Sequence, residues 1–144
     1  MSELPAELVV DASCVVKWFT SELNTEQALR LLTLHKSALV TLFAPDLLVY
    51  EVVNALRYKP DITDSLLQRW TRNLFDLQLN LVPPTIDLLS SAATLAFQHG
   101  TTIYDSLYLA LSEKLGIKFV SADTRFIEKV NQPERILNLG DLSS

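Results

Sequence analysis

Two kinds of hydrophobic pattern alternate along the chain. Short apolar, β-branched runs over residues 8–11, 40–44, 79–82 and 118–122, with a fifth over 135–139, predict strands. Between them, apolar residues recur at helical spacing over 26–34, 46–58, 63–75, 85–99 and 102–115, and a last short helix is predicted over 124–130. Pro45 before the second of these suits a helix start, Thr85 suits a cap, and Gly100 and Gly116 suit helix ends.

The strands read as apolar on both faces, and no hairpin turn dipeptides separate them. That pattern predicts an α/β fold with a parallel sheet covered on both sides. In open sheets of this kind a ligand sits at the carboxyl ends of the strands. No repeat, low-complexity tract or linker divides the sequence, so one compact unit over 1–144 is expected.

A hydrophobic content of 49% in 144 residues excludes intrinsic disorder, and no apolar run reaches the ~18 residues of a membrane span. The lone Cys14 has no internal disulfide partner, and the first residues lack the basic and apolar regions of a signal peptide. A cytoplasmic protein is expected. Twelve Lys and Arg against 17 Asp and Glu give a net charge of −5. Diffuse attraction to nucleic acid is thereby excluded, and any such contact must be local.

Most acids suit solvated helix faces. Glu26 with Arg30, Arg72 with Asp76, and Arg125 with Glu128 have the spacing of surface ion pairs, and Asp64 and Asp87 fall in first helical turns. Four others stand in apolar segments. Asp11 ends the first strand, Glu51 lies in the middle of the 46–58 helix with no cation one turn away, Asp105 opens the 102–115 helix, and Asp123 follows the fourth strand. Three of these also have plain structural roles open to them: a strand-end turn for Asp11, a capping box with Thr102 for Asp105, and a helix cap for Asp123. Glu51 has none.

If Glu51 projects toward the strand ends, all four acids converge there. At separations near 5 to 6 Å, six repulsive pairs of about 3 kcal/mol each would exceed the net stability of a domain, so protons or cations must neutralise them. Oxygen ligands alone match a hard ion, Mg²⁺ or Mn²⁺. The only histidines, His35 and His99, lie near helix ends, and Cys14 reads as a small buried hydrophobe. Phosphate-loop, dinucleotide-binding and nucleophile-elbow motifs are all missing from the sequence.

Four segments in order, Val10-Asp-Ala-Ser13 with Lys17-Trp-Phe19, Pro45-Asp-Leu-Leu-Val-Tyr-Glu51-Val-Val-Asn54, Tyr104-Asp105-Ser-Leu-Tyr-Leu-Ala-Leu111 and Ser121-Ala-Asp123-Thr-Arg-Phe126, resemble the PIN-domain ribonucleases. In size the chain is most like the single-domain VapC toxins of toxin–antitoxin pairs. The resemblance spans roughly residues 8–139. It implies a PIN-like α/β/α sandwich with a central, mainly parallel sheet of four or five strands.

It further implies a Mg²⁺- or Mn²⁺-dependent endoribonuclease with Asp11, Glu51, Asp105 and Asp123 as its acidic quartet. Ser13 and Ser121 would be auxiliary hydroxyls, the latter where the family often has Thr, and Asn54 would hold the surroundings of Glu51. A homodimer, an RNA substrate and a cognate antitoxin covering the groove are also implied. Asp11, Asp105 and Asp123 would mainly hold the ion or ions, one or two, and Glu51 would orient or deprotonate the attacking water. Lys17, Arg57, Lys59 and Arg125 are candidates for phosphate contact, although Arg57 and Lys59 also suit a helix C-terminus. Trp18 and Phe19 are expected in the core.

Two other readings compete. A non-catalytic, Mg²⁺-binding phospho-acceptor module would explain Asp11 but not Glu51, and it wants a lysine at a late strand end, whereas Lys118 stands at the start of its strand. An inactive PIN scaffold is opposed by the presence of all four acids.

Overall fold

Each apolar run becomes a strand and each helical pattern a helix in the computed structural model, which describes residues 4–143. The order is β1 (Glu7–Val10), α1 (Ala12–Val15), a 3₁₀ turn (Val16–Trp18), α2 (Thr25–Lys36), β2 (Thr41–Pro45), α3 (Leu47–Arg57) and α4 (Asp64–Asp76). It continues with β3 (Asn80–Val82), α5 (Ile86–His99), α6 (Ile103–Leu115), β4 (Lys118–Ser121), α7 (Thr124–Val130), β5 (Ile136–Asn138) and a last 3₁₀ turn (Leu139–Asp141).

The five strands form one sheet in the order β3-β2-β1-β4-β5, every pair parallel. Val10 of β1 is level with Val120 of β4. The chain runs outward from β1 through β2 to β3 and then returns to the other side of β1. Strand order therefore reverses between β1 and β4, and their carboxyl ends flank the crevice where open α/β sheets place a ligand.

Successive strand residues face opposite sides of a sheet, so the complete burial of Leu8, Val9 and Val10 means that β1 is covered on both faces. From Ser106 to Ser112 every residue of α6 is buried, because α6 lies between α5 and the strands β1, β2 and β4. Thr63, Thr85 and Thr102 cap α4, α5 and α6 by accepting from backbone N–H groups. Gly100 and Gly116 end α5 and α6 in the left-handed conformation that glycine adopts without strain.

Several expectations need correction. Residues 12–18 form a short helix and a 3₁₀ turn where the sequence suggested only an apolar stretch; four residues are too few to display a helical period. Pro45 ends β2 level with Val82 and does not open α3. None of the three expected helix-surface ion pairs forms among the described residues, where Glu22 is the one carboxylate in a salt bridge. Arg30 instead donates to the carbonyl of Ser143. His35 is not a free surface residue: its Nδ1 accepts from the Leu42 N–H and its Nε2 faces the Leu77 carbonyl, tying the end of α2 to β2. No helix among the described residues is long and apolar enough to cross a membrane.

Candidate active site

The crevice at the strand ends is a pocket of about 420 Å³ lined by Asp11, Glu51, Asp105 and Asp123, together with Ser13, Lys17, Glu22, Lys59 and Tyr108. The four acids come from four separate segments, and strand–helix junctions position two of them, Asp11 and Asp123. Asp11 leaves β1 in an extended conformation and caps α1 through the Cys14 N–H. Asp123 leaves β4 and caps α7 through the Phe126 N–H, 3.1 Å away. Asp105 sits in the first turn of α6, its N–H capped by Thr102 Oγ1 at 3.0 Å. The capping roles of Asp11 and Asp123 are thus filled, only the Thr102 half of the capping box forms at Asp105, and all three acids still line the pocket.

Asp11 is 9% exposed and is gripped by two serines. Ser13 Oγ donates to Oδ1 and Ser121 Oγ to Oδ2, each across 2.5 Å. The same hydroxyls accept the N–H groups of Ala122 and Asp123, at 2.9 and 3.0 Å. Asp11 is thereby bound into the β4–α7 turn. Burial nevertheless pushes its carboxyl up to about 6, against the lowering effect of the hydrogen bonds and with a further push from the charge of Asp123.

Burial also raises the carboxyls of Glu51 and Asp105 above the usual range. Repulsion from Asp105 adds to the rise in Glu51, and repulsion from Asp123 adds to that in Asp105. Each acid thus feels the next along a row from Asp11 through Asp123 and Asp105 to Glu51. Tyr108 donates its hydroxyl to Glu51 Oε1 at 2.5 Å, and burial and the nearby carboxylates hold the phenol protonated.

The stripes of α3 explain what reaches this pocket. Leu48, Val52 and Leu56 are buried in the core, whereas Glu51, Ala55 and, just past the helix end, Lys59 face the pocket at fourfold spacing. Asn54 and Arg57 lie on a third face, with Tyr50 and Val53, along a groove between α3 and α4. Asn54 is exposed and makes no hydrogen bond to Glu51; Tyr108 makes that bond instead. Arg57 stacks over Tyr58, 5.4 Å from its ring centre. Arg125 is exposed outside the pocket, next to the buried Phe126 that does line it. Trp18 and Phe19 pack partly buried against the core, the Trp18 N–H donating to the Ala28 carbonyl.

Sequence reasoning missed two pocket residues. Tyr108 stands one helical turn after Asp105, a spacing that signals a shared face. Glu22 lies in an irregular loop and carries no such signal.

The donor set is carboxylate and hydroxyl oxygen; no histidine lines the pocket, and the Cys14 thiol is buried against the Val120 carbonyl. That chemistry fits a hard divalent ion. The spacing differs from expectation. Among the described residues no three carboxylates stand close enough to form a ready-made cage, since the acids are spread along the pocket and both Asp11 oxygens are held by serines.

The model of the PIN domain family matches residues 8–131. Ribonuclease VapC3 of Pyrobaculum aerophilum is 32% identical over 130 residues, covering 85% of this chain and 94% of that protein. A toxin–antitoxin complex from Klebsiella pneumoniae contains a chain of the same fold, with a TM-score of 0.68 at 12% identity, covering 94% of this chain and 99% of that one. A crystal structure from Pyrobaculum aerophilum superposes with a TM-score of 0.64 at 21% identity, covering 93% and 90%.

Proposed function

The chain belongs to the PIN domain family, and on that premise we propose that it is an endoribonuclease that hydrolyses RNA phosphodiester bonds with a divalent ion, Mg²⁺ or Mn²⁺, and is the toxin of a toxin–antitoxin pair. The observation that carries this reading is the pocket at the β1–β4 crossover, which four acids from separate segments line and where burial disfavours the charge on at least three of them. The caps made by Asp11 and Asp123 do not require the acids to share a pocket, where burial and mutual repulsion work against their charge. A cation there offsets that cost.

Asp11, Asp105 and Asp123 are the residues assigned to hold the ion, and Ser13 and Ser121 fix Asp11 for that task. A divalent ion supplies positive charge at the phosphoryl oxygen and a bound water of lowered pKa. Glu51, which accepts the Tyr108 hydroxyl, is assigned to align the attacking water and take its proton. The raised affinity of Glu51 for a proton suits it to that work. No imidazole base is needed, in keeping with the position of both histidines outside the pocket.

The phospho-acceptor reading fits less well. Lys118 opens β4 at the end remote from the pocket, so the lysine such a module wants is not there. A cognate antitoxin and a second copy of the chain are the partners proposed here; the former is suggested by the Klebsiella pneumoniae complex, and both need apolar surface. The protein offers it at Tyr50, 74% exposed, beside the α3–α4 groove, and at Phe97, 92% exposed, on α5. The test of the catalytic reading is cleavage of RNA by purified protein with Mg²⁺ or Mn²⁺. Cleavage that persists in EDTA, or in Asp105→Asn protein, contradicts it.

A further inference from the structure

The catalytic reading leaves one pocket constellation without a task. Lys17, from the 3₁₀ turn, and Lys59, just beyond α3, are the cationic residues that line the pocket. Both reach the same carboxylate: Glu22 Oε1 lies 3.8 Å from Lys17 Nζ, and Glu22 Oε2 lies 3.0 Å from Lys59 Nζ. These are the two salt bridges among the described residues, while the sequence-adjacent pairs on helix surfaces do not form. Lys17 is no loose surface side chain, since only 12% of it is exposed.

Glu22 is held in place by its own loop. Thr20 Oγ1 donates to Glu22 Oε2, Thr25 Oγ1 accepts the Glu22 N–H at 2.8 Å, and the Thr25 hydroxyl donates to the Thr20 carbonyl at 3.1 Å. The hydrogen bond from Thr20 and the two ammonium groups keep the carboxylate ionised in spite of partial burial. Two cations thus converge on one anionic group at the wall of a pocket whose other charged residues are acids.

An acidic pocket that must accept a polyanion needs a place for phosphate charge, and two ammonium groups converging on one point provide it. We propose that Lys17 and Lys59 form the seat for an RNA phosphate adjacent to the scissile bond, and that Glu22 occupies this seat in the free protein as an internal competitor. The inference rests on the ribonuclease reading and adds to it a substrate subsite and a built-in brake. Displacing Glu22 breaks its two partly exposed ion pairs, which contribute little net stability, and the Thr20 hydrogen bond, and the incoming phosphate re-pairs both lysines. An arriving phosphate takes over both lysines, and Glu22 swings to solvent.

The experiment measures binding of a fluorescent single-stranded RNA by anisotropy over a range of KCl concentrations with Mg²⁺ present. All proteins carry Asp105→Asn so that the strand stays intact. Lys17→Ala and Lys59→Ala each weaken binding and make the dependence of log K on log salt shallower by up to about 0.7, the contribution of one phosphate on a single strand. Glu22→Gln, which keeps the shape of the side chain, tightens binding about fivefold, the effect of one like charge removed at about 4 Å in water. A folding defect cannot produce tighter binding. Glu22→Gln protein that binds equally or more weakly overturns the competitor role, and lysine variants with an unchanged salt slope overturn the seat. Failure of the parent protein to bind RNA at any salt concentration overturns the ribonuclease reading itself, and this inference with it.

Discussion

Tyr108 on α6 donates to Glu51 on α3 across 2.5 Å, joining two walls of the pocket at the acid assigned to the attacking water. Its ring lies stacked on Phe119, with ring centres 6.0 Å apart, and that packing survives loss of the hydroxyl. Tyr108→Phe is therefore expected to lower the cleavage rate about tenfold or more, the usual effect of removing a partner that orients an active-site ligand. Steady-state cleavage measured beside urea unfolding checks this. A rate equal to the parent's would mean that Glu51 needs no such support.

Ser121→Ala removes a hydrogen bond to a buried carboxylate and leaves the Asp123 N–H without its acceptor. The expected loss of stability is about 2 kcal/mol. Urea unfolding at pH 7 reads it directly. Ser13→Ala breaks the matching pair of bonds, to Asp11 and from Ala122, and should cost a similar amount.

How much of this was legible in the sequence depended on how local each feature is. Asp11 and Asp123 were readable because both follow apolar strands, and the crossover rule converts strand ends into a shared site. Glu51 was readable from the helical period: the core stripe Leu48, Val52 and Leu56 leaves it on a different face from the core. Helical spacing alone makes Asn54 a neighbour of Glu51, and only the packing of α4 beside α3 shows that it turns to the other groove. Glu22 was illegible, because hydrogen bonds between the side chains of Thr20, Glu22 and Thr25 place it, and no periodicity encodes those. The width of the acidic row was also hidden. No local pattern reports the distance between side chains on four separate segments.

Stability should fall with rising pH in metal-free protein. The Asp11 carboxyl lies at about 6 when folded, against an ordinary value of 3.8. Between those values the folded state binds more protons than the unfolded chain, so unfolding becomes easier as pH rises through that window. The stability fully present below the lower value is gone above the higher one, a loss of about 3 kcal/mol. Glu51 and Asp105 act in the same direction. Glu22, whose carboxyl is lowered, has the opposite sign and loses its contribution only as pH falls below its ordinary 4.5. Chemical denaturation in EDTA between pH 5 and pH 7 should therefore show declining stability, and Asp11→Asn should flatten the decline and be the more stable protein at pH 7. An identical slope in the variant would remove Asp11 as the cause.

Divalent ions should reverse that decline where the carboxylates are ionised. Mg²⁺ is expected to raise the melting temperature of the protein clearly at pH 7.5, by mass action on the folded state, and scarcely at pH 4.5. Parallel thermal melts with and without the ion test this. An equal effect at both pH values would point to an ion bound elsewhere.

The account depends on acids from distant parts of the chain jointly binding a divalent ion, and Mn²⁺ binding followed by the spectrum of the free ion at pH 7.5 tests that most directly. Asp11→Asn, Glu51→Gln, Asp105→Asn and Asp123→Asn should each weaken Mn²⁺ binding, with the three aspartates the more damaging, while Asp87→Asn on α5 leaves it unchanged. Mn²⁺ affinity that stays at the parent value in the Asp11, Asp105 and Asp123 variants would contradict the account.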